Sequence, residues 1–294
     1  LKTLTHFWLN QERNVMNSLA VSSPSGITHI WQLAKFELSK RFSSRSGIIA
    51  LIAFILVWSV ILIYPIKEAS NIIMEPSFKE FIAAVFGPTT LDQLFTWQVS
   101  EFAMFWVAAL YLFPMFSIFI SADQFSSDKQ RGTLRFVSLR VSRNSLFFGR
   151  FLGQIFIQGF LILITLIATT LLVMSRDTGL LMPAINTALI IFANLLIVVL
   201  PYIATMALLS LIANSARQAS IFAIILWVIV SIIITLVNVK FPGFEMLSYL
   251  LPGSQLSNMV NTQGLAAFTY APIPLIQTAV ILIIGRIVMQ RSAL

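Results

Sequence analysis

The side chains that could do chemistry in this chain are few and poorly spaced for catalysis. The imidazoles are His6 and His29, both ahead of the first long apolar run. No His-Glu-x-x-His pair exists to hold a catalytic zinc, and no Gly-x-x-x-x-Gly-Lys-[Ser/Thr] loop exists to cradle nucleotide phosphates. A Gly-x-Ser-x-Gly nucleophile elbow is also missing. Cysteine is absent, which removes thiolate nucleophiles, disulfides and thiolate metal sites. No catalytic residue and no metal ligand is therefore assigned. Charge concentrates instead in one stretch, Asp123 to Gly153, which carries Lys129, Arg131, Arg135, Arg140, Arg143 and Arg150. Leu134, Val137, Leu139 and Val141 are interleaved among them. A break at Gly132 followed by this compact amphipathic run suits a short helix that presents one face to a partner. The bland reading of the same residues is a basic loop that merely fixes membrane topology.

The elements that position this stretch follow from composition. Of 294 residues, 58% are hydrophobic and 10% charged, with a mean hydropathy of +0.90. A soluble domain carries about 25% charged residues. Lipid is the expected solvent, because a globular surface of this length could not do without the missing charges. A charge at the centre of a membrane helix costs roughly 2.5–3.5 kcal/mol, and a crossing needs about 20 apolar residues. Charge-free gaps are therefore the ruler. They predict six spans, over 47–66, 102–122, 151–174, 183–213, 218–239 and 270–289. The fourth gap, 178–216, could hold two short helices, but Pro183 suits a helix start and Pro201 would kink a membrane helix without breaking it. One long helix is expected there. The stretch 240–269 is too polar for a lipid-facing helix and reads as an external or re-entrant segment. Such a segment is tolerable only where protein or water satisfies its backbone.

The positive-inside rule supports the six-span reading. With a cytoplasmic N-terminus, only Lys67, Lys79, Arg176 and Lys240 of the 19 basic residues fall outside. Splitting the fourth gap would put Arg217 outside. The formal charge of +8 and pI near 10.1 are thus a topology signal, and nucleic acid is not an expected partner. Both termini are expected in the cytoplasm, with 1–26 a polar tail, no signal peptide, and 27–294 one transmembrane domain. Before the first span, Ile27, Trp31, Ala34, Leu38 and Phe42 recur at helical spacing, with Lys35, Lys40 and Arg41 beside them. That pattern predicts a helix lying in the membrane interface, anchored by Trp31, Lys35, Leu38, Arg41 and Phe42 among lipid headgroups. The alternative is a first span that extends into the cytosol with a basic collar.

The spans carry no Asp, Glu, Lys or His at mid-depth, where a proton- or sodium-coupled carrier needs a group that changes charge. They do carry uncharged polar and aromatic residues. Ser59, Trp106, Tyr111, Asn194, Trp227, Ser231 and Asn238 are candidates to line a substrate path, against the bland reading of helix packing and interfacial belts.

The loop from Asp123 to Arg150 resembles that of the ABC-2 family of exporter permeases. The resemblance rests on Arg131, Gly132, Thr133 and Leu134, then Ser142 and Arg143, then Gly149 and Arg150. Val141 stands where the family usually has proline, and Lys129 with Gln130 where acids are common. The resemblance implies an all-α polytopic fold with six transmembrane helices and an N-terminal interfacial helix. It implies a coupling helix near Gly132–Arg143, with Arg131, Gly132, Thr133, Leu134, Ser142 and Arg143 docking on a separate cytosolic ABC ATPase. Two ATPase copies would bind ATP and Mg, so this chain itself needs no cofactor. A second permease chain, identical or not, would complete the pathway in the inner membrane, with membrane lipid around it. Few charges in the spans favour a hydrophobic or amphiphilic cargo. An ATP-independent carrier or channel is the competing reading, and a membrane-embedded enzyme or assembly factor a third.

Overall fold

Inside a bilayer no water satisfies backbone N–H and C=O groups, so a charge-free run must close its hydrogen bonds within itself, as a helix does. The computed structural model follows that rule. It describes residues 26–68, 71, 97–240 and 245–291, and no strand occurs among them. The expected polar tail lies outside the described residues, as does most of the loop after the first span. In chain order the helices are α1 (Gly26–Ser43), α2 (Arg45–Ile61), α3 (Ser100–Ile120), α4 (Ser126–Gln130), α5 (Thr133–Arg140), α6 (Arg143–Arg176), α7 (Leu181–Ile212), α8 (Ala216–Lys240), α9 (Leu256–Val260) and α10 (Pro272–Arg291). Six of these stretches are long and apolar enough to cross a membrane. The fold is an all-α polytopic membrane bundle.

Several boundaries differ from charge counting in ways the local chemistry explains. Helix α2 runs on as a wide turn, Leu62–Ile66, around Pro65; the widened turn accommodates a residue with no N–H to donate. Helix α6 begins at Arg143, well before the charge-free run at 151, because Ser142 caps it: its Oγ accepts from the Ser145 N–H at 3.1 Å. Pro201 sits inside an unbroken α7. That helix is the most enclosed of the bundle, with Val199, Ile203, Ala204, Met206 and Ala207 fully buried. It contacts α3, α6, α8 and α10. An aromatic seam fastens α2 to α3, Trp58 stacking on Phe113 at 5.1 Å between ring centres.

Helix α1 does more than rest beside the bundle. Its most extensive contact runs along the first half of α6. Ala34 is fully buried there, and Phe42 meets Phe160 edge-on at 4.8 Å. The close approach depends on two glycines of α6. A Cβ added at Gly149 would lie 2.7 Å from the Leu33 Cβ, and one at Gly153 would lie 2.9 Å from the Glu37 Cβ. Gly149→Leu and Gly153→Leu are each expected to lower stability by about 1–3 kcal/mol through overpacking. Thermal unfolding in detergent measures that loss, and Gly159→Leu, whose site has more room, should cost less.

At the end of the bundle away from α1, Arg176 pairs with the buried Glu101 at 3.0 Å. Arg176, one of the four basic residues expected outside, is thus held by a carboxylate of α3. The polar segment before α10 folds onto the bundle through α9 and two 3-10 turns, Glu245–Leu250 and Gly264–Tyr270. Its irregular carbonyls are met by side chains from the spans. Trp106 Nε1 donates to the Met259 oxygen at 3.0 Å, Trp227 Nε1 to Pro252 at 3.3 Å, and Gln277 Nε2 to Tyr249 at 2.6 Å. The Met259 oxygen also accepts from the Thr262 N–H at 3.1 Å and the Thr262 Oγ1 at 2.8 Å, so removing the indole donor costs one hydrogen bond and strands no carbonyl. Trp106→Phe is expected to destabilise by about 0.5–1.5 kcal/mol, read as a lowered unfolding temperature.

Candidate functional site: a charged handle at the basic end of the bundle

Between α3 and α6 the chain builds a compact handle. Asp123 starts it, its Oδ1 accepting from the Ser127 N–H at 3.1 Å and so capping α4. Gly132 then turns the chain between α4 and α5 with φ +71°, a left-handed conformation that side-chain-bearing residues resist. Thr133 locks the turn, its Oγ1 donating to the Asp128 backbone oxygen at 3.2 Å. Val141 is extended and ends α5.

The handle is bolted to the bundle at four points. Leu134 is buried among Phe125, Leu146, Phe147, Leu211 and Met289, so of the residues expected to meet a partner, this one faces inward and holds α5 down. Lys129 Nζ donates to the carbonyls of Leu211 and Ile212, both at 3.1 Å, placing a cation on the C-terminal end of α7, where the helix dipole favours it. Arg143 does the same for α10, donating to Gln290 O at 2.8 Å. Arg150, buried on α6, donates to the Gln124 carbonyl and the Asp128 carboxylate. Its Nε lies 3.5 Å from Glu37 of α1. Lys40 of α1 closes the group at 4.0 Å from Asp128. One cluster thus ties α1, α4 and α6 together.

Burial by itself would raise the Asp128 carboxyl. The charge and hydrogen bond of Arg150, with Lys40 and Thr133, outweigh it and hold the group below its usual 3.8. A depressed carboxylate contributes stability above its unfolded value, which is lost as pH falls through the folded one. Amide exchange across α4 and α5, corrected for intrinsic rates, is therefore expected to stay flat between about pH 7 and pH 5.

What the handle shows to its surroundings is a different set of residues. Phe136 and Leu139 are 72% and 84% exposed, with Arg135 and Arg140 beside them and Arg131, Gly132, Thr133 and Ser142 also exposed. Sequence reasoning noted Leu139 among the apolar positions but passed over Phe136. The helical repeat carried the signal, since 134 and 137 share one face of α5 and 136 and 139 another. The Glu37–Asp128–Arg150 cluster had no comparable signal.

The residues expected along the membrane are not gathered into one site. Trp31, half-exposed, meets Phe156 edge-on, and Lys35 lies over its ring at 5.1 Å. Leu38 and Phe42 pack on the core, and Arg41 is half-buried at the end of α1. Among the candidate path residues, Trp106 and Trp227 hold the polar segment as described, and Asn194 bonds within its own helix to Ile190 O. Tyr111 is exposed, Ser59 half-buried, and Ser231 accepts from Thr235. Asn238 keeps a buried Oδ1 without a partner. An apolar groove of about 410 Å³ between α6 and α7 is lined by others, among them Leu166, Ile185 and Phe192. Among the described residues no group of three His, Cys, Asp or Glu side chains converges to hold a metal.

A family profile described as ABC-2 family transporter protein matches residues 31–292. The chain belongs to the ABC-2 family. It is thus the membrane subunit of a transporter and not itself a catalytic one, in a family whose members associate in general with an ABC ATPase. None of the curated proteins compared with it matches. The region matched to the ABC-2 permeases starts at Trp31 and ends just past α10. It therefore includes every bolt of the handle, from Glu37 on α1 to the Gln290 carbonyl.

Proposed function

We propose that this ABC-2 permease is the transmembrane half of an ATP-driven exporter whose handle, α4 to α5, is gripped by a separate ATPase subunit. The observation that carries the reading is the two-faced α5: Leu134 is fixed inside the bundle while Phe136 and Leu139 are exposed on its other side. Two large apolar side chains held out on a rigid, cation-rimmed turn are the anchors a partner's groove would take. The distribution of Lys and Arg supports a cytoplasmic handle and cytoplasmic termini, within reach of a soluble ATPase, in a chain that crosses the inner membrane. ATP and Mg belong to that partner.

Two ATPases and two permease chains complete the assembly, with the pathway between the permeases. Helices α2 and α8 bury the fewest of their residues among the spans, so they leave apolar faces for the second chain and for lipid. Closure of the ATPase pair draws the handles together. Lys129 and Arg143 then pull on the ends of α7 and α10, and a bistable packing of those helices alternates the opening. Uncharged spans suit a hydrophobic or amphiphilic cargo.

The test is uncoupling. Gly132→Glu forces a side chain into the left-handed turn and puts an acid on the docking face, and Arg143→Glu releases the α10 end. Each is expected to insert normally and to leave the partner's ATP hydrolysis running while transport is lost. Unchanged transport in both variants would remove the docking site. Transport by the purified chain in vesicles with no ATPase present would favour a carrier or channel instead.

A further inference from the structure

Where α1 bends into α2, the structure holds an amphiphilic cleft beside the start of the handle. Ser44 makes the bend, accepting from the Gly47 N–H at 3.1 Å, and a Cβ on Gly47 would lie 1.6 Å from the Arg41 oxygen. A polar cavity of about 230 Å³ lies between this elbow and the start of the handle, with Lys40, Arg41, Arg131 and Gln154 in its wall. An apolar groove lined by Leu51, Phe54 and Leu161 adjoins it, and the two share Arg41, Ile120 and Ile157. The polar part sits level with Arg45, where α2 begins. The apolar part reaches Phe54, about 13 Å further along that helix. This is the order of headgroup and acyl chain at a bilayer boundary.

The charges in the cavity select among headgroups. Its carboxylates are already engaged: Glu37 and Asp128 by Arg150, and Asp123 by the Ser127 N–H. The side chains of Arg41 and Arg131 have no carboxylate within ion-pair reach among the described residues. Four cations, Lys40, Arg41, Arg131 and Arg150, face the three carboxylates Glu37, Asp123 and Asp128, and the single positive charge left over suits a phosphate and argues against an added ammonium. Gln154 is 6% exposed and its Oε1 is buried without a hydrogen-bond partner. A headgroup that brings a hydroxyl donor beside its phosphate would satisfy it.

We infer that this cleft binds one phospholipid of the adjacent leaflet, with an anionic, hydroxyl-bearing headgroup of the phosphatidylglycerol type. The phosphate sits between Arg41 and Arg131, a glycerol hydroxyl reaches Gln154, and a chain lies over Phe54. The site does not depend on what drives the handle. It makes the elbow a specific lipid receptor as well as a general interfacial anchor.

Native mass spectrometry of the full chain in mild detergent tests this, with phosphatidylglycerol and phosphatidylcholine titrated as probes. The parent is expected to retain a single phosphatidylglycerol and to prefer it over phosphatidylcholine by about tenfold, the value of one charge-assisted contact. Arg41→Gln with Arg131→Gln should erase that preference, and neither side chain supports the fold through an ion pair. Ala50→Trp, at an exposed position in the groove, should lower retention of both lipids. Equal retention of the two lipids by the parent would overturn the inference. So would an undiminished preference in the arginine variant, or full retention in the tryptophan variant.

Discussion

An Arg150→Leu chain is expected to lose about 3–5 kcal/mol of stability, the scale of breaking a buried pair from one side. Arg150 is 5% exposed. It donates to the Gln124 carbonyl and the Asp128 carboxylate, and its guanidinium lies over the Phe125 ring at 5.1 Å. Leucine leaves that carbonyl unpaired and leaves Glu37 and Asp128 as two carboxylates with side chains only 15% and 16% exposed. Their partial contact with water places the cost toward the lower end of the range. Arg150→Lys keeps the charge but not the forked reach to several acceptors, so its loss should be smaller. Adding Glu37→Gln and Asp128→Asn to Arg150→Leu should recover part of the deficit, because the stranded charges are then gone. Thermal unfolding of the purified variants orders them. An Arg150→Leu chain that melts with the parent would mean the cluster holds nothing together.

The second large effect concerns binding and leaves folding aside. Phe136→Asp and Leu139→Asp change side chains that are mostly in solvent, so each should alter stability by no more than about 0.5 kcal/mol. If an ATPase groove buries them, each becomes an anchor lost and a charge desolvated. Central anchors of this kind are worth at least about 2 kcal/mol, or roughly thirtyfold in affinity. The double variant is expected to insert, to melt like the parent and to lose its ATPase on purification. Leu134→Asp, two positions away, should do the reverse. It puts a charge among Phe125, Phe147 and Met289 and should cost the fold itself.

The number of spans could be read from charge because lipid penalises each misplaced charge heavily, and that penalty acts on the sequence directly. The two faces of α5 were also present in the helical repeat. Other features needed residues that are remote in sequence. Nothing near Gly149 or Gly153 announces that Leu33 and Glu37 lie against them, and nothing near Arg150 announces Glu37. Each is a tertiary contact between helices whose local patterns are ordinary. Trp106 and Trp227 show the limit from the other side. A polar aromatic residue in a span looks the same whether it lines a pathway or donates to a carbonyl of a folded-back segment. Only the position of Met259 and Pro252 separates the two.

The absence of native cysteine makes the most direct test of the handle straightforward. A single Leu139→Cys chain in membrane vesicles can be exposed to a membrane-impermeant maleimide from either side, with and without the ATPase bound. The handle reading predicts rapid labelling from the cytoplasmic side and protection when the ATPase binds. Labelling only from the opposite side, or labelling that the bound ATPase leaves unchanged, would contradict it.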